Sequence, residues 1–453
     1  MSVPSYSELS EIRVRKLVNL FDYRIPLSTD QHTTILIAPN GYGKTSILRL
    51  LDAFFNGRYA ELGLVPFSYL SFAFRQGPEI TVTIQLQKEE KFIRIARQGR
   101  QKEEFALPLP ATDPRRSREG DQRLSEMARM QGFRRVGPGQ WLNPQFDTES
   151  ITTDDLWSLL APDRRPTRQG LRPVDEPLWL QTIRTRTPVV LIGSERLRIR
   201  NREGQEGEEL ALGHYARVVA KKIQDASLRY TEESQNLDRT YPKRFFASMS
   251  SGRSTLTDSE GDQLVDRAKK LSARYTELAK AGLVDAKSGI TDLAPHELAQ
   301  VAGRAMELYI EDNEKKLAAF DDIFARIEAL YSITGSRFIN KSLKVDRVDG
   351  LVVQCGNAQI DLSKLSSGEQ HQVRLWAQLL FDVPTGALVL IDEPELSLHV
   401  GWQREFLTDL DKVTQVAHVD FLISTHSAQI VANRPSLAIE LDDLTGDAKW
   451  QKI

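Results

Sequence analysis

The feature that most constrains this chain is an apolar run that ends in two carboxylates. Residues 387–391 read Ala-Leu-Val-Leu-Ile, which is too short for a helix but suits a parallel strand covered on both faces. Asp392 and Glu393 follow directly. Because ligands of parallel sheets bind at the carboxyl ends of the strands, both side chains are expected at a ligand site. A buried strand that turns into an acidic loop would have the same sequence pattern. The other motifs therefore decide whether these carboxylates belong to a ligand site.

A glycine-rich loop near the beginning of the chain is the first of these motifs. After the apolar run 34–37 comes Ala38-Pro39-Asn40-Gly41-Tyr42-Gly43-Lys44-Thr45, and a helical pattern begins at Ser46. Strand, glycine loop and helix in this order predict a phosphate-binding loop, in which Lys44 reaches the terminal phosphates and Thr45 ligates Mg²⁺. Ala38 replaces the usual first glycine, whereas Gly41 and Gly43 keep the tight backbone. The alternative is an ordinary strand-to-helix turn.

Four segments together resemble a known family. In the order APNGYGKTS, LSSGEQ, LVLIDEPELSLH and LISTHS, they are similar to the motifs of ATP-binding-cassette (ABC) ATPases of the RecF, SMC and OLD-like branch. The resemblance implies an α/β fold, with an ABC-type ATPase head that contains a mostly parallel sheet and an antiparallel β subdomain. It also implies a helical arm or bundle inserted between the two halves of the head, and it implies ATP and Mg²⁺ as cofactors.

The resemblance gives a role to each matching residue. Asp392 and Thr45 would hold Mg²⁺, Glu393 would orient or deprotonate the attacking water, and the switch histidine His426 would contact the γ-phosphate. The residues expected to bind ATP are Asn40, Gly41, Gly43, Lys44, Thr45 and Ser46, with Ser366, Ser367, Gly368 and Glu369 of the signature loop. Ser397, Leu398 and His399 match the D-loop. The family's Q-loop glutamine is not placed, because Gln76, Gln85, Gln87 and Gln98 are all candidates.

The signature loop implies an active site shared between two chains. It precedes a helix predicted from Glu369 to Leu380, whose N-terminal N–H groups favour an anion. The helix after Lys44 already serves one end of the phosphate. In the family, Ser366 of one chain faces the γ-phosphate held by Lys44 of another, so we expect a homo-oligomer of head-to-tail dimers. Taken alone, LSSGEQ is also a serine-rich helix N-cap.

Composition describes a soluble globular protein. With 40% hydrophobic and 27% charged residues, the 453-residue chain can bury a substantial core. No apolar run reaches the roughly 18 residues of a membrane span, and the polar beginning lacks a signal peptide's apolar core. We therefore expect a cytoplasmic protein without a membrane partner. The single cysteine, Cys355, excludes an internal disulfide, and the surrounding LVVQC predicts a small core residue.

Five regions are predicted along the chain. They are the N-terminal half of the head with the glycine loop and antiparallel strands (1–100), an Arg/Pro-rich accessory region of loops and short helices (101–185), a core strand with a linker (186–205), a helical insertion (206–334), and the C-terminal half of the head (335–453). In the insertion, helical spacing links Leu264, Ala268, Leu271, Tyr275 and Leu278, and a second helix is predicted from Pro295 to Ile333. Two such helices would form a short arm or bundle; the alternative is that they pack on the sheet.

Positive charge is concentrated in the segment 91–200. It holds 21 Lys and Arg against 14 Asp and Glu, an excess of seven positive charges, and 19 of the 21 cations are arginine. Because the arginine fork suits phosphates and carboxylates, we expect this segment, with Arg115, Arg116 and Arg118, to meet an acidic protein, nucleic acid or acidic surfaces of its own assembly. A solvated surface with internal ion pairs is the alternative.

A further stretch points to a biological setting. SQNLDRTYPKRF, at 234–245, resembles stand-alone ATPase subunits of bacterial anti-phage systems, the AriA family of PARIS and the PtuA family of Septu; size and architecture favour PARIS. OLD-type enzymes continue into a Toprim nuclease after the switch histidine, where this chain has 27 residues, so the nuclease is expected to be a separate protein. It would be Toprim-type for PARIS and HNH for Septu.

The resemblance thus implies an ATP-gated sensor or scaffold. It would hold the separate nuclease effector and release or activate it when a phage-encoded trigger arrives, with an acidic protein as one candidate trigger. The alternative is a RecF/SMC-like DNA-repair ATPase whose Arg-rich segment grips duplex DNA. A transporter ATPase is disfavoured by the long helical insertion.

Overall fold

A computed structural model describes residues 9–87, 90–98, 103–109, 125–126, 128–129, 133–137, 140–142, 151–152, 176–193, 208–250, 258–285, 295–335, 337–338, 340–356 and 358–441. Most of the Arg-rich segment lies outside these ranges, so the expectations placed on Arg115, Arg116 and Arg118 concern residues that the structure does not describe.

The strands, in chain order, are β1 (Leu9–Leu17), β2 (Phe21–Pro26), β3 (Thr33–Ile37), β4 (Tyr69–Phe74), β5 (Ile80–Gln87), β6 (Glu90–Arg97), β7 (Glu103–Pro108), β8 (Arg134–Gly137), β9 (Gln140–Leu142), β10 (Ile151–Thr152), β11 (Val189–Ile192), β12 (Ser342–Asp346), β13 (Gly350–Cys355), β14 (Ala358–Ile360), β15 (Leu388–Asp392), β16 (Asp420–Ser424) and β17 (Ala438–Glu440). The helices are α1 (Lys44–Phe55), α2 (Tyr59–Leu62), α3 (Leu178–Arg186), α4 (Glu208–Ser250), α5 (Asp258–Lys280), α6 (Pro295–Leu317), α7 (Asp321–Thr334), α8 (Ser367–Ala377), α9 (Val400–Gln403), α10 (Phe406–Ala417) and α11 (Ala428–Val431).

A parallel sheet with the order β11-β15-β16-β3-β17 positions the predicted site. Each pair of neighbouring strands is parallel, so their carboxyl ends lie at one edge. Successive side chains alternate between two cores: Leu388 and Leu390 pack towards the antiparallel sheet, whereas Val389 and Ile391 pack towards the helices. The sheet is covered on both faces, which explains the unbroken apolar run before Asp392.

The second large sheet is antiparallel, with the order β2-β1-β4-β5-β6-β7. Helix α1 lies between it and the parallel sheet, and Phe54 of α1 contacts Phe72 of β4 with ring centroids 4.6 Å apart. With its parallel sheet, antiparallel sheet and helices, the structure confirms the predicted α/β class.

Part of the accessory region differs from our prediction of loops and short helices. Its described residues include β7, which pairs with β6, and the small antiparallel sheet β10-β9-β8, beside helix α3 and helical residues at 125–126 and 128–129. The prediction is wrong for these strands. Phe105 and Leu107 pack against the core beneath the antiparallel sheet, so pairing at its edge, rather than local composition, decides the conformation of β7.

The helical insertion contains α4, α5 and α6 packed side by side. Helix α4 has 43 residues, which gives a length of about 64 Å at the usual helical rise. No single sequence motif predicted this helix. The residues predicted for one apolar face are all buried: Leu264, Ala268, Leu271, Tyr275 and Leu278. Within the described ranges, none of the helices combines the length and apolar character needed to cross a membrane.

The second predicted helix is broken, which corrects the continuous helix expected from Pro295 to Ile333. Helix α6 ends at Leu317, a 3₁₀ turn spans Ala318–Phe320, and α7 begins at Asp321. The Phe320 side chain is 2% exposed, and the centroid of its ring lies 5.3 Å from the ring centroid of Tyr230 on α4. The tighter turn therefore places an aromatic ring in the core, and helix α7 starts anew behind it.

Strands β12, β13 and β14 form a small sheet whose first turn approaches α4 closely. Gly350 has φ +75°, and a Cβ added there would lie 1.8 Å from the carbonyl oxygen of Ala216. At the other end of β13, Cys355 is exposed, so the prediction of a small core residue is wrong. Burial alternates along the strand, with Val353 inside and Gln354 outside, and the strand reaches the surface at Cys355.

We expect Gly350→Ala to destabilise the protein more than Gly356→Ala. Both glycines have positive φ, so both alanines cost about 1–2 kcal/mol for the left-handed backbone. A Cβ on Gly356 meets no atom within 4 Å, whereas the clash at Gly350 adds roughly 1–3 kcal/mol. Urea unfolding of the two variants measures the difference. Equal midpoints would show that α4 moves away from the turn at no cost.

Candidate functional site

The glycine loop, Ala38–Thr45, joins β3 to α1. Gly43 is the N-cap of α1 with φ +82°, and Gly41 has φ +90°. Both conformations suit glycine because it carries no Cβ. A Cβ on Gly43 would lie 2.7 Å from Cδ2 of Leu17, while one on Gly41 meets nothing within 4 Å. Gly43 is thus required for close packing against β1, and Gly41 for its backbone turn.

Lys44 lies at the start of α1 and is 5% exposed. Its Nζ donates to the carbonyl oxygens of Ala38 at 2.6 Å and Pro39 at 3.2 Å, and it lies 2.8 Å from Nε2 of His426. An ammonium group only donates, so Nε2 is the acceptor in this contact. Protein acceptors already surround the ammonium group, so a phosphate entering the loop would have to displace some of them.

Thr45 and Asp392 meet beside the lysine. Oγ1 of Thr45 lies 3.2 Å from Oδ1 of Asp392, and the hydroxyl of Ser424 donates to the same carboxylate oxygen. Two oxygens on adjacent corners of a Mg²⁺ octahedron lie about 3.0 Å apart, so this pair fits that ion. In the part of the chain that the structure describes, no group of three or more His, Cys, Asp and Glu residues could hold a metal. The pair therefore suits Mg²⁺ that keeps water and phosphate ligands.

Glu393 lies where the chain turns sharply away from β15. Its φ is +47° and its ψ +57°, a left-handed conformation that is costly for a residue with a long side chain. Its backbone N–H donates to the carbonyl of Ser424 at 2.9 Å. The carboxylate is 33% exposed and lies 4.0 Å from Nε2 of His426. The turn therefore leaves the carboxylate open to solvent beside the imidazole, where water can reach it.

The signature loop begins α8 two residues earlier than predicted: the helix starts at Ser367, with Ser366 as its N-cap, rather than at Glu369. Ser366 and Glu369 form a capping box, in which the Ser366 N–H donates to Oε2 of Glu369 at 2.8 Å. Nζ of Lys341 lies 2.9 Å from the same oxygen. Burial acts to raise the pKa of Glu369, but hydrogen bonds from Lys341 and Ser366 outweigh it and lower the pKa. A charged carboxylate therefore holds the serine.

Buried polar residues anchor the signature helix from below. Nη1 of Arg337 and Nε1 of Trp376 both donate to Oε1 of Gln372, at 2.9 and 2.8 Å, and Arg337 pairs with Asp409 of α10. The side chains of Arg337 and Asp409 are 3% and 4% exposed. Burial raises the pKa of Asp409, against the opposing effect of Arg337. Removing one partner of such a pair typically costs about 3–5 kcal/mol, so α8 is firmly fixed to α10.

The D-loop residues lie next to the signature loop. Leu398 is buried, and His399 is exposed and caps α9, where its Nδ1 accepts from the N–H of Gly401 at 3.3 Å. The side chain of Ser397 lies outside the described residues. A Cβ on Gly368 would lie 4.0 Å from the ring of Trp402 in α9. The D-loop and the signature loop therefore share one surface of the chain.

The structure brings some predicted residues together and keeps others apart. The residues that meet at the carboxyl edge of the parallel sheet are Lys44, Thr45, Asp392, Glu393 and His426. Among the hydrogen bonds and ion pairs that join described residues, none links Ser366, Ser367, Gly368 or Glu369 to that group. Asn40 is exposed in the glycine loop, and Ser46 is half-buried in the first turn of α1.

The Q-loop glutamine remains unassigned. Gln85 and Gln87 belong to β5, while Gln76 and Gln98 lie in the segments after β4 and β6. The strand β11 ends beside β15, with Ile192 opposite Ile391. Residues 194–200 lie outside the described ranges.

Sequence reasoning assigned no role to several residues that hold the site. Ser424, Thr425 and Glu395 lie inside the quoted motifs, but only the folded chain shows what they contact. Lys341 lies outside every motif, and nothing in its sequence surroundings marks it as a partner of Glu369. A hydroxyl after a buried strand, as in LISTHS, was the one available signal.

Part of the chain is similar to an ATPase-type domain. Residues 254–432 match the family described as "AAA domain, putative AbiEii toxin, Type IV TA system". This range contains the signature loop, the two strand-end carboxylates and His426, but not the glycine loop.

Two curated proteins are similar over part of their length. The Retron Ec83 probable ATPase of Escherichia coli is 28% identical over 168 residues, which cover 34% of this chain and 29% of that protein. The UvrABC system protein A of Aquifex aeolicus (strain VF5) is 28% identical over 199 residues, which cover 42% of this chain and 19% of that protein. The chain thus spans less than a third of either relative.

Solved structures of SMC heads are distant matches. One is an Smc head domain with an extended coiled coil, bound to the C-terminal domain of ScpA, from Pyrococcus furiosus; it is 11% identical, with a TM-score of 0.36, and the match covers 94% of this chain and 91% of that chain. The SMC head domain from Thermotoga maritima is 10% identical, with a TM-score of 0.29 and the same coverage. Likeness at this level says nothing about a substrate or a partner.

Proposed function

We propose that the protein is an ABC-type ATPase that binds ATP and hydrolyses it to ADP and phosphate. The observation that carries the proposal is the convergence of Lys44, Thr45, Asp392, Glu393 and His426 at one sheet edge, from two parts of the sequence. A lysine behind a glycine loop, an oxygen pair that fits Mg²⁺ and a solvent-accessible carboxylate are the groups that phosphoryl transfer to water requires.

The geometry suggests how these residues would act. Phosphates would lie on the N–H groups at the start of α1, and Lys44 would exchange its contacts with Ala38 and His426 for phosphate oxygens. Bound between Thr45 and Asp392, Mg²⁺ would supply charge neutralisation. Glu393 would orient or deprotonate the attacking water. His426, released from Lys44, would be free to donate to the γ-phosphate.

Glu393→Gln tests the assignment of the water-activating residue. The amide keeps the size of the side chain but loses its basicity, so we expect hydrolysis to fall by roughly 10²- to 10⁴-fold while ATP binding is retained. Phosphate release and direct ATP binding, measured on the same preparation, separate the two effects.

A matched control is Glu328→Gln, which removes one exposed carboxylate of α7 that belongs to none of the motifs. It should hydrolyse ATP at the wild-type rate. If Glu393→Gln does the same, Glu393 does not activate the water.

We further propose that the protein works as a homo-oligomer built from head-to-tail dimers. The signature loop and the D-loop share a surface, and contacts between described residues do not join it to the lysine site of the same chain. Leu396 and Val400 flank the D-loop and are 68% and 56% exposed. Apolar side chains at such a surface favour contact with another protein, here a second copy.

A mixing experiment tests whether the site is shared. Lys44→Ala removes the phosphate cation, and Ser366→Arg fills the opposing contact with bulk and charge, so each variant alone should lose hydrolysis. In a mixed dimer one interface carries both defects and the other carries neither. A 1:1 mixture should regain up to about one quarter of the wild-type activity if subunits exchange and the sites act independently.

Exchange itself is measured with two fluorescent labels on the same variants. Demonstrated exchange without recovered activity would mean that the site is built within one chain or that both sites must act together. Mixing either variant with itself is the control and should recover nothing.

For the biological role, we propose a sensor or scaffold of an anti-phage defence system. Similarity to a retron ATPase supports it, as does the resemblance of residues 234–245, which lie in α4, to stand-alone defence ATPases. The protein would act in the cytoplasm and hold a separate nuclease, Toprim-type as in PARIS or HNH as in Septu. A phage-encoded trigger, with an acidic protein as the candidate for the Arg-rich segment, would release or activate that nuclease.

A second candidate function is a DNA-repair ATPase, and similarity to UvrABC system protein A favours it. Binding of duplex DNA through six or more phosphates should weaken by about 10³-fold or more between 50 and 200 mM salt. Fluorescence anisotropy with labelled duplex DNA measures this. Affinity that is absent, or independent of salt, would count against the repair function and favour the defence role.

A further inference from the structure

Glu395 makes two hydrogen bonds to consecutive residues on the other side of the site. It lies in the 3₁₀ turn Pro394–Ser397, directly after the turn at Glu393. Its Oε2 accepts from Oγ1 of Thr425 at 2.7 Å, and its Oε1 accepts from the backbone N–H of His426 at 2.6 Å. Hydrogen bonds to a charged acceptor are stronger than those between neutral groups. One carboxylate thus holds the segment that carries the switch histidine.

The switch segment, Thr425–Ser427, has further contacts: the Ser427 N–H donates to Oγ1 of Thr425 at 2.9 Å, and Nε2 of His426 lies 2.8 Å from Nζ of Lys44. β16 ends at Ser424, and beyond it the Thr425 N–H reaches Leu36 at 3.2 Å. Thr425 is fully buried, whereas the His426 side chain is 35% exposed. The N–H of His426 donates to Glu395, so the position of the His426 backbone depends on Glu395, while Lys44 contacts the far side of the imidazole.

A second bridge limits what the loss of Glu395 would disturb. Gln403 of α9 accepts from Oγ of Ser427 at 2.6 Å and donates to the carbonyl of Leu398 at 3.0 Å. Ser427 also caps α11, where it accepts from Ile430. With the Ser427 side chain held by Gln403 and Ile430, removal of Glu395 should release His426 without unfolding the segment after it.

We propose that Glu395 is a positioning residue that acts on hydrolysis through His426. Both of its carboxylate oxygens accept hydrogen bonds from Thr425 and His426, whereas the Glu393 carboxylate is 33% exposed beside the imidazole. The inference rests on the proposed ATPase function, because Glu395 is inferred to affect hydrolysis by positioning His426. It also ties the switch histidine to the D-loop, since Glu395 and Leu398 belong to the same turn.

The kinetic test compares Glu395→Ala, Glu395→Gln, His426→Ala and the double variant Glu395→Ala/His426→Ala. A lost hydrogen bond to a charged group corresponds to roughly a 10- to 100-fold fall in kcat for Glu395→Ala. ATP binding, measured by calorimetry with Mg²⁺, should change by less than about threefold, because the carboxylate of Glu395 bonds to Thr425 and His426 rather than to the glycine loop. Glu328→Ala is the matched control and should leave kcat unchanged.

The double variant decides whether Glu395 acts through the histidine. In the His426→Ala background, Glu395→Ala should change kcat by less than about twofold, because the route has already been removed. Glu395→Gln should recover most of the activity: its carbonyl oxygen can accept from the His426 N–H while its amide donates to the Thr425 hydroxyl. If the two alanine effects multiply, or if Glu395→Gln is as slow as Glu395→Ala, the proposal is overturned.

Hydrogen exchange gives a readout that needs no ATPase activity. In Glu395→Ala without nucleotide, the amide of His426 should exchange at least about tenfold faster, while the amides of β16 keep their protection. An unchanged rate at His426 overturns the positioning role. Should the wild-type protein show no hydrolysis although the amide responds as expected, the ATPase proposal fails and the structural tie between Glu395 and His426 stands.

Discussion

The pairing of β16 with both β3 and β15 is the interaction on which the candidate site depends. β3 carries the glycine loop and β15 carries the two carboxylates, yet Thr45 and Asp392 are 347 positions apart in sequence. Because β16 lies between these strands in parallel register, their carboxyl ends reach the same edge. Ser424, its last residue, then donates to Asp392 and accepts from the N–H of Glu393. The strand aligns the two halves and is itself part of the site.

The two sides of the proposed shared site differ in how firmly they are held. The signature helix is fixed by the buried contacts of Arg337, and its first residues are closed by the capping box with Glu369. On the opposite side, Lys44 and His426 contact each other directly, and both would have to change partners when a phosphate enters. One side of the proposed site is therefore held rigidly, whereas the other would rearrange when a phosphate binds.

Sequence patterns predicted the parts of the molecule whose conformation is determined by residues close together in the sequence. The strand before Asp392 is apolar because both of its faces are buried, and the glycine loop needs glycine where φ is positive, so both leave a mark in the sequence. The break at Ala318–Phe320 and the strand β7 arise from contacts with distant residues, which no local pattern reports. The same holds for Lys341, whose partner Glu369 is 28 positions away.

At Glu393, the residue type that would best stabilise the left-handed backbone differs from the one that places the carboxylate farthest from β15. Aspartate and asparagine enter this region of backbone conformation more readily than glutamate does. A shorter acid would thus relieve the turn, yet it would draw the carboxylate back by one methylene group towards the end of β15. Glutamate at this position keeps the backbone strain of the turn but provides a longer side chain. Selection for thermal stability alone should therefore favour substitutions at this residue. Such substitutions would lower the rate of the proposed hydrolysis.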